Sequence, residues 1–218
     1  MAGHGDLLLC LPRTRLLMLK FLGRLHRKFV FQRRVRVLSE ILADLLPSGS
    51  QVLDVGCGDG LIDRRIAERR SDLEIRGIDV VARPDASIPV EVFDGANIPY
   101  PDGSMDVVMF VDVLHHTSDP EVLLLEGVRV ARQQVILKDH LREGWLAGPT
   151  LRIMDWVGNA PHGVDLPYNY WTEQRWRESF ARLGVKPTTW IDQLGLYPPP
   201  ASFLFDRSLH FVASLRRD

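Results

Sequence analysis

"VLDVGCGDG", Val52 to Gly60, sets a short apolar run against an acid and three glycines at alternate positions. The run reads as a buried strand, and the glycines read as a tight turn into a following helix. Lacking side chains, Gly56, Gly58 and Gly60 let the backbone turn sharply and come close to a ligand. In an open α/β sheet, the loop after the first strand lies at the centre of the ligand site.

On either side the pattern alternates. Val35, Leu38, Leu42 and Leu45 recur at helical spacing, and Pro47-Ser48-Gly49 predicts the end of that helix. "LIDRRIAERR" returns to a helical period after the glycines. "LEIRGIDV", "PVEVF", "MDVVMFVDV" and "QVILKDH" are short runs rich in Val and Ile. Between the last two, "SDPEVLLLEGVRVA" predicts a helix capped by Ser118 or Asp119 with Pro120 in its first turn. Nearly continuous apolar strands fed by helices indicate a doubly wound α/β fold with a parallel sheet covered on both faces. After His140 the segment to Trp171 has no clear period. A helix capped by Thr172 and stopped by Gly184 follows it, then two final strands around "PTTWIDQ" and "SLHFVASLR".

The 218 residues, 45% hydrophobic and 25% charged, suit one globular domain. A net charge of -1 gives no general reason to expect a nucleic-acid partner. Cys10 and Cys57 are too few and too far apart for a disulfide framework, so a cytoplasmic location is expected. From Arg13 to Arg36 there are nine Lys or Arg and no acid, interleaved with apolar residues. This stretch reads either as a helical lid or packing segment or as a basic amphipathic helix on an anionic membrane surface. Its charges interrupt any apolar run long enough to span a bilayer.

Glycine spacing narrows the ligand. Dinucleotide folds use G-x-G-x-x-G, whereas here it is G-x-G-x-G behind Asp54, which argues against a nicotinamide oxidoreductase. An acid at the end of the first strand suits an ammonium better than a pyrophosphate, and Asp54 is expected to receive the amino group of S-adenosylmethionine. Asp79, nineteen positions beyond Gly60, is expected to accept the ribose hydroxyls. Asp94 and Gly95 follow the third strand, where they either meet the adenine or form an Asx turn.

"VLDVGCGDG", "GIDV", "FDGANIPYPDGSMDVVMFVDVLHH" and "VILKDH" resemble the ordered motifs of class I S-adenosylmethionine-dependent methyltransferases, over roughly residues 46 to 140. The second half, including "MDWVGNAPHGVDLPYNYW", is similar to a bacterial, type 11-like group within that superfamily. The resemblance implies a Rossmann-like sheet of seven strands, mostly parallel, with the last two as an antiparallel hairpin. Carried over, it implies that Asp54, Gly56 and Gly58 hold the methionine and adenosine backbone. Asp79 would hold the ribose, Asp94 with Gly95 the adenine, and Val111 with Asp112 would lie beside the amino acid portion. S-adenosyl-L-homocysteine would be the product. "VDVLHH" stands where an Asp/Asn-Pro-Pro-Tyr would be, which argues against methylation of exocyclic amines on nucleobases or glutamine.

Methyl transfer is an in-line displacement that depends on alignment and exclusion of water, and an O or N acceptor can need a base. His115 and His140, ending the fourth and fifth strands, are the candidate catalytic residues. Asp139 adjoins His140, but neighbours on a strand point to opposite faces, so a direct pair is not expected. His115, His116 and Asp119 are the nearest approach to a metal-ligand spacing, and with no second cluster no metal is expected. Trp145, Trp156, Tyr168, Tyr170 and Trp171, with Asn159, His162 and Asn169, are read as a cap over the acceptor. The organisation expected is an N-terminal segment, 1–46, and one methyltransferase domain, 47–218, with a cap insertion at about 141–171. The expected activity is methyl transfer to an O, N or C acceptor of a small or lipid-like molecule. The alternative is a non-catalytic protein that binds the cofactor as a partner or scaffold, and the oligomeric state is left open.

Overall fold

A computed structural model describes residues 30–159 and 168–217, without the side chains of 156–159. Helix α1 (Gln32–Leu45) is followed by β1 (Gln51–Val55), α2 (Leu61–Arg69), β2 (Glu74–Asp79), β3 (Val90–Val92) and β4 (Met105–Val111). After a 3-10 turn at Leu114–His116 come α3 (Pro120–Val130), β5 (Ala131–His140), α4 (Ala147–Asn159) and α5 (Glu173–Arg182). Strand β6 (Val185–Ile191), the short α6 (Ser202–Phe205) and β7 (His210–Arg217) complete the order.

The seven strands lie in the order β3-β2-β1-β4-β5-β7-β6. The first five are parallel, and β7 is inserted antiparallel between β5 and β6. This is the doubly wound sheet with a terminal antiparallel hairpin. Strand order reverses at the β1/β4 boundary, where the carboxyl ends of the strands open a crevice.

Alternation along the strands sorts the core into two layers. Leu53, Val55, Val108, Phe110, Val135 and Leu137 face α3 and α5, where Leu124, Trp176 and Phe180 are buried. Val52, Val107, Met109, Ile136 and Val212 face the other way, against Leu38, Leu42 and Ala43 of α1 and Ile66 of α2. The N-terminal helix therefore shares a core with the sheet. Asp119 caps α3 by accepting the Glu121 N–H, and Thr172 caps α5 by accepting that of Arg175.

Helix α4 is the element that periodicity did not predict. Its buried positions Ala147, Leu151 and Asp155 recur at i, i+4 and i+8. The third is an acid, and Gly148 and Pro149 occupy the first turn, so the apolar stripe is too short to read. No helix among the described residues is long and apolar enough to cross a membrane. Most of the basic stretch, 13–29, lies outside the described residues, as does His162.

Candidate functional site

Beyond the carboxyl ends of β1 and β4 lies a cavity of about 500 Å³, within the range of small-molecule sites. Asp54, Gly56 and Gly58 line one side, Val111, Asp112, His115 and His140 the middle, and Ile153, Met154 and Asp155 of α4 the far wall. Phe31, Arg34 and Val35 of the N-terminal helical segment, with Tyr197 and Phe205, close it from the side.

The glycines have separate reasons. Gly56 has φ +77°, and a Cβ there would lie 2.5 Å from Val113 Cγ2, so both backbone and space demand glycine. Gly58 has φ +62° with nothing within 4 Å of a Cβ, which leaves its face open toward the cavity.

Behind this turn, Asp54 and Asp63 are both buried, at 3% and 0% exposure. Asp54 Oδ1 and both Asp63 oxygens meet no N–H or O–H donor. Burial pushes Asp63 up to about 7, and burial with the Asp63 charge pushes Asp54 well above the usual carboxylate range. Burial therefore favours the protonated form of both acids until a cation is brought beside them. Such a pair suits a ligand ammonium.

Asp79 uses one oxygen for the Gly58 N–H (2.8 Å) and the other for the Val81 N–H (3.1 Å), tying β2 to the glycine turn. Asp94 accepts from the N–H groups of Ala96 (2.8 Å) and Asn97 (2.6 Å) and from Asn97 Nδ2 (2.7 Å), so its carboxylate forms an Asx turn. Asp79, Asp94 and Gly95 stand at the ends of β2 and β3, beyond the walls of the cavity itself.

Asp112 sits at φ +60°, a left-handed conformation that Asp tolerates better than most residues. Its carboxylate bonds both Arg34 of α1 and Lys138 of β5. Burial opposes its charge, but the two cations hold Asp112 far below the usual carboxylate range. Burial in turn lowers the fully buried Lys138 amine. Sequence pattern gives no sign of Arg34 or Lys138, since they lie 78 residues before and 26 residues after Asp112.

His115 and His140 are brought together, with their Nδ1 atoms 3.3 Å apart. Contrary to the expectation from strand alternation, Asp139 meets both imidazoles, and its Oδ1 lies 3.6 Å from His140 Nδ1. The same oxygen lies 2.7 Å from His115 Nδ1, and it accepts the His140 backbone N–H at 2.7 Å. Burial opposes a charge on His115, yet Asp139, Asp155 and Asp112 outweigh it and the net shift is upward. Burial and the neighbouring charges of His115 and Lys138 lower His140 well below its ordinary value.

The expected aromatic cap is corrected in detail. Trp145 is 86% exposed, and Trp171 packs in the core beside Trp176. Asn169 donates to the Thr117 carbonyl at 2.6 Å, a structural bond. The cap segment reaches the cavity through Ile153, Met154 and Asp155 instead, and Tyr170 supports Asp155 with its hydroxyl. These residues were hidden because the register of α4 was not legible.

Residues 53–137 match the family described as "Methyltransferase domain". The chain carries this domain, and its fold is the one seen in S-adenosylmethionine-dependent methyltransferases. It is 29% identical over 144 residues to 2-methyl-6-phytyl-1,4-hydroquinone methyltransferase of Synechocystis, covering 62% of this chain and 40% of that protein. It is 32% identical over 110 residues to 27-O-demethylrifamycin SV methyltransferase of Amycolatopsis mediterranei, covering 44% and 40% respectively. The chain thus spans about two fifths of the length of these curated relatives. Among solved structures, a methyltransferase from Thermotoga maritima, described as a possible histamine N-methyltransferase, superposes with a TM-score of 0.63 at 16% identity. That superposition covers 93% of this chain and 97% of the other, and it shows the fold. The methyltransferase domain match ends within β5, so α4 and the acid it contributes lie beyond it.

Proposed function

We propose that this chain transfers a methyl group from S-adenosylmethionine to an O, N or C acceptor of a small or lipid-like molecule. The observation that carries the reading is one cavity joining the open face of Gly58 and the buried acid Asp54 to His115 and His140. Bound there, S-adenosylmethionine would supply a sulfonium methyl for in-line displacement.

Asp54, backed by Asp63, would receive the ligand ammonium, and Gly56 and Gly58 would admit the ligand backbone. Asp79 retains lone pairs for the ribose hydroxyls, Asp94 and Gly95 would flank the adenine, and Val111 and Asp112 would border the amino acid portion. The acceptor would lie between the β4 and β5 ends and α4, with its proton leaving toward the His115 and His140 face. Ile153, Met154 and Phe205 supply an apolar wall suited to a small or lipid-like acceptor. The names of the Synechocystis and Amycolatopsis relatives, a hydroquinone and a rifamycin methyltransferase, support a small-molecule acceptor. We assign residues 47–218 to one methyltransferase domain, 1–46 to a helical lid or packing segment and about 141–171 to a cap. Peripheral membrane contact through 13–36 is a separate proposal, tested by sedimentation with anionic vesicles at low salt.

Calorimetric titration with S-adenosylmethionine and S-adenosylhomocysteine tests the cofactor. Binding of both, severely weakened by Asp79→Ala, is expected; stabilisation by NAD in their place overturns the reading. Labelled methyl donor incubated with a cell extract then identifies the acceptor.

A further inference from the structure

We propose that His115, His140 and Asp155 form a binding site for a divalent first-row transition metal at the acceptor end of the cavity. One donor atom from each lies within 4.8 Å of the others, and all three residues are buried. His115 Nε2 is 3.4 Å from Asp155 Oδ2, and His140 Nε2 is 4.0 Å from Asp155 Oδ1. Metal bonds of about 2.0 to 2.2 Å place neighbouring donor atoms roughly 3 to 3.5 Å apart, so a small contraction completes the set.

His115 Nε2 carries the second observation. It is buried in a residue only 1% exposed, has no hydrogen-bond partner, and faces the Asp155 carboxylate. A nitrogen left this way in a packed interior costs free energy unless something fills the role of partner. The opposite nitrogen of the ring is anchored by Asp139 at 2.7 Å, which leaves Nε2 as the ligand atom. This carboxylate-histidine arrangement is the usual support of a metal-bound imidazole. Asp155 has equivalent support from the Tyr170 hydroxyl.

Two imidazoles and one carboxylate favour zinc, cobalt, iron or manganese over calcium or magnesium, which prefer all-oxygen sets. The nearest cations, Arg34 and Lys138, are paired with Asp112. All three ligand residues also line the cavity, so an ion there would keep an open position toward the acceptor. An ion there would polarise an acceptor oxygen and ease loss of its proton, in place of direct proton acceptance by His115 or His140. In sequence the ligands are 25 and 15 residues apart (140 − 115 and 155 − 140), on a turn, a strand end and a helix, a spacing that resembles no linear metal motif.

The site does not depend on cofactor binding, and the test keeps the two apart. The full chain is stripped with chelator and titrated with Co²⁺ by visible absorption and equilibrium dialysis, with Zn²⁺ as competitor. One tight Co²⁺ per chain is expected, with ligand-field bands and no thiolate charge transfer. His115→Gln and Asp155→Asn should weaken it at least tenfold, Asp139→Asn should weaken it about 10- to 100-fold, and Asp79→Ala should leave it intact. Absence of stoichiometric binding, or equal affinity in the His115 and Asp155 variants, overturns the site. Should those variants unfold, pulsed electron resonance on the Cu²⁺-loaded parent decides: two coordinated imidazoles support the site, and one or none overturns it. Metal binding without S-adenosylmethionine binding would sustain this inference and remove the proposed activity.

Discussion

Asp139 adjoins His140 in the chain, but its carboxylate serves His115, with Oδ1 2.7 Å from His115 Nδ1. The turn after β4 brings His115 back over the end of β5, where the same oxygen also lies 3.6 Å from His140 Nδ1. Replacement of Asp139 by Asn keeps the volume and removes the charge that fixes the imidazole. Turnover on the labelled acceptor is expected to fall by about 10²-fold or more. S-adenosylmethionine affinity, read by calorimetry, should stay within about twofold, because Asp139 is remote from the glycine turn.

The Asp54 and Asp63 pair predicts a pH dependence. Asp63 is raised to about 7 by burial, from an ordinary value of 3.8, so the folded chain holds this proton more tightly than the unfolded one. Stability from this group is therefore complete below about 4 and is lost as pH rises through about 7. A cationic ligand favours the ionised acid, so affinity for S-adenosylmethionine should rise over the same window. Asp63→Asn should flatten both trends, measured by denaturant midpoints and calorimetry across pH; unchanged slopes would assign them to other groups.

Gly56 and Gly58 should respond differently to alanine. Gly56→Ala meets Val113 Cγ2 at 2.5 Å as well as a left-handed backbone. Its cost is about 1–2 kcal/mol for the backbone plus ~1–3 kcal/mol of overpacking. Gly58→Ala has open space and should lose only about 1–2 kcal/mol. The methyl group it adds projects toward the cavity, so its larger effect should be on cofactor affinity. Urea unfolding and calorimetric binding separate the two outcomes.

Lys138 and Arg34 share the carboxylate of Asp112. Lys138→Met removes a fully buried cation and leaves Asp112 with the partly buried Arg34. A loss of about 1–3 kcal/mol is expected, since Asp112 gives up one charged hydrogen bond and keeps the other. A double variant, Lys138→Met with Asp112→Asn, keeps a residue that tolerates the left-handed backbone, and its loss should be less than the sum of the two single losses, as read by chemical denaturation.

The methyltransferase fold was legible because its signals are local. Glycines at alternate positions after an apolar run, acids ending β1 and β2, and Val- and Ile-rich strands separated by capped helices each depend on a few neighbouring residues. The seven strands and the terminal hairpin were implied by the family resemblance, as was the grouping of Asp54, Gly56 and Gly58 beside Val111 and Asp112, and the strand order came from the fold itself. Side-chain orientation was not local. Asp94 proved to be bound into its own turn, and of the aromatic residues after His140, Trp171 entered the core while Trp145 faces solvent.

By itself, the sequence determined the sheet, the glycine turn and the chemistry expected beside it. Only tertiary structure decided which partner each buried charge would take: Arg34 and Lys138 for Asp112, His115 for Asp139, and Tyr170 for Asp155. Their partners lie 15 to 78 residues apart, and burial leaves each polar group to be satisfied by whichever side chain the packing of α1, α4 and β5 delivers.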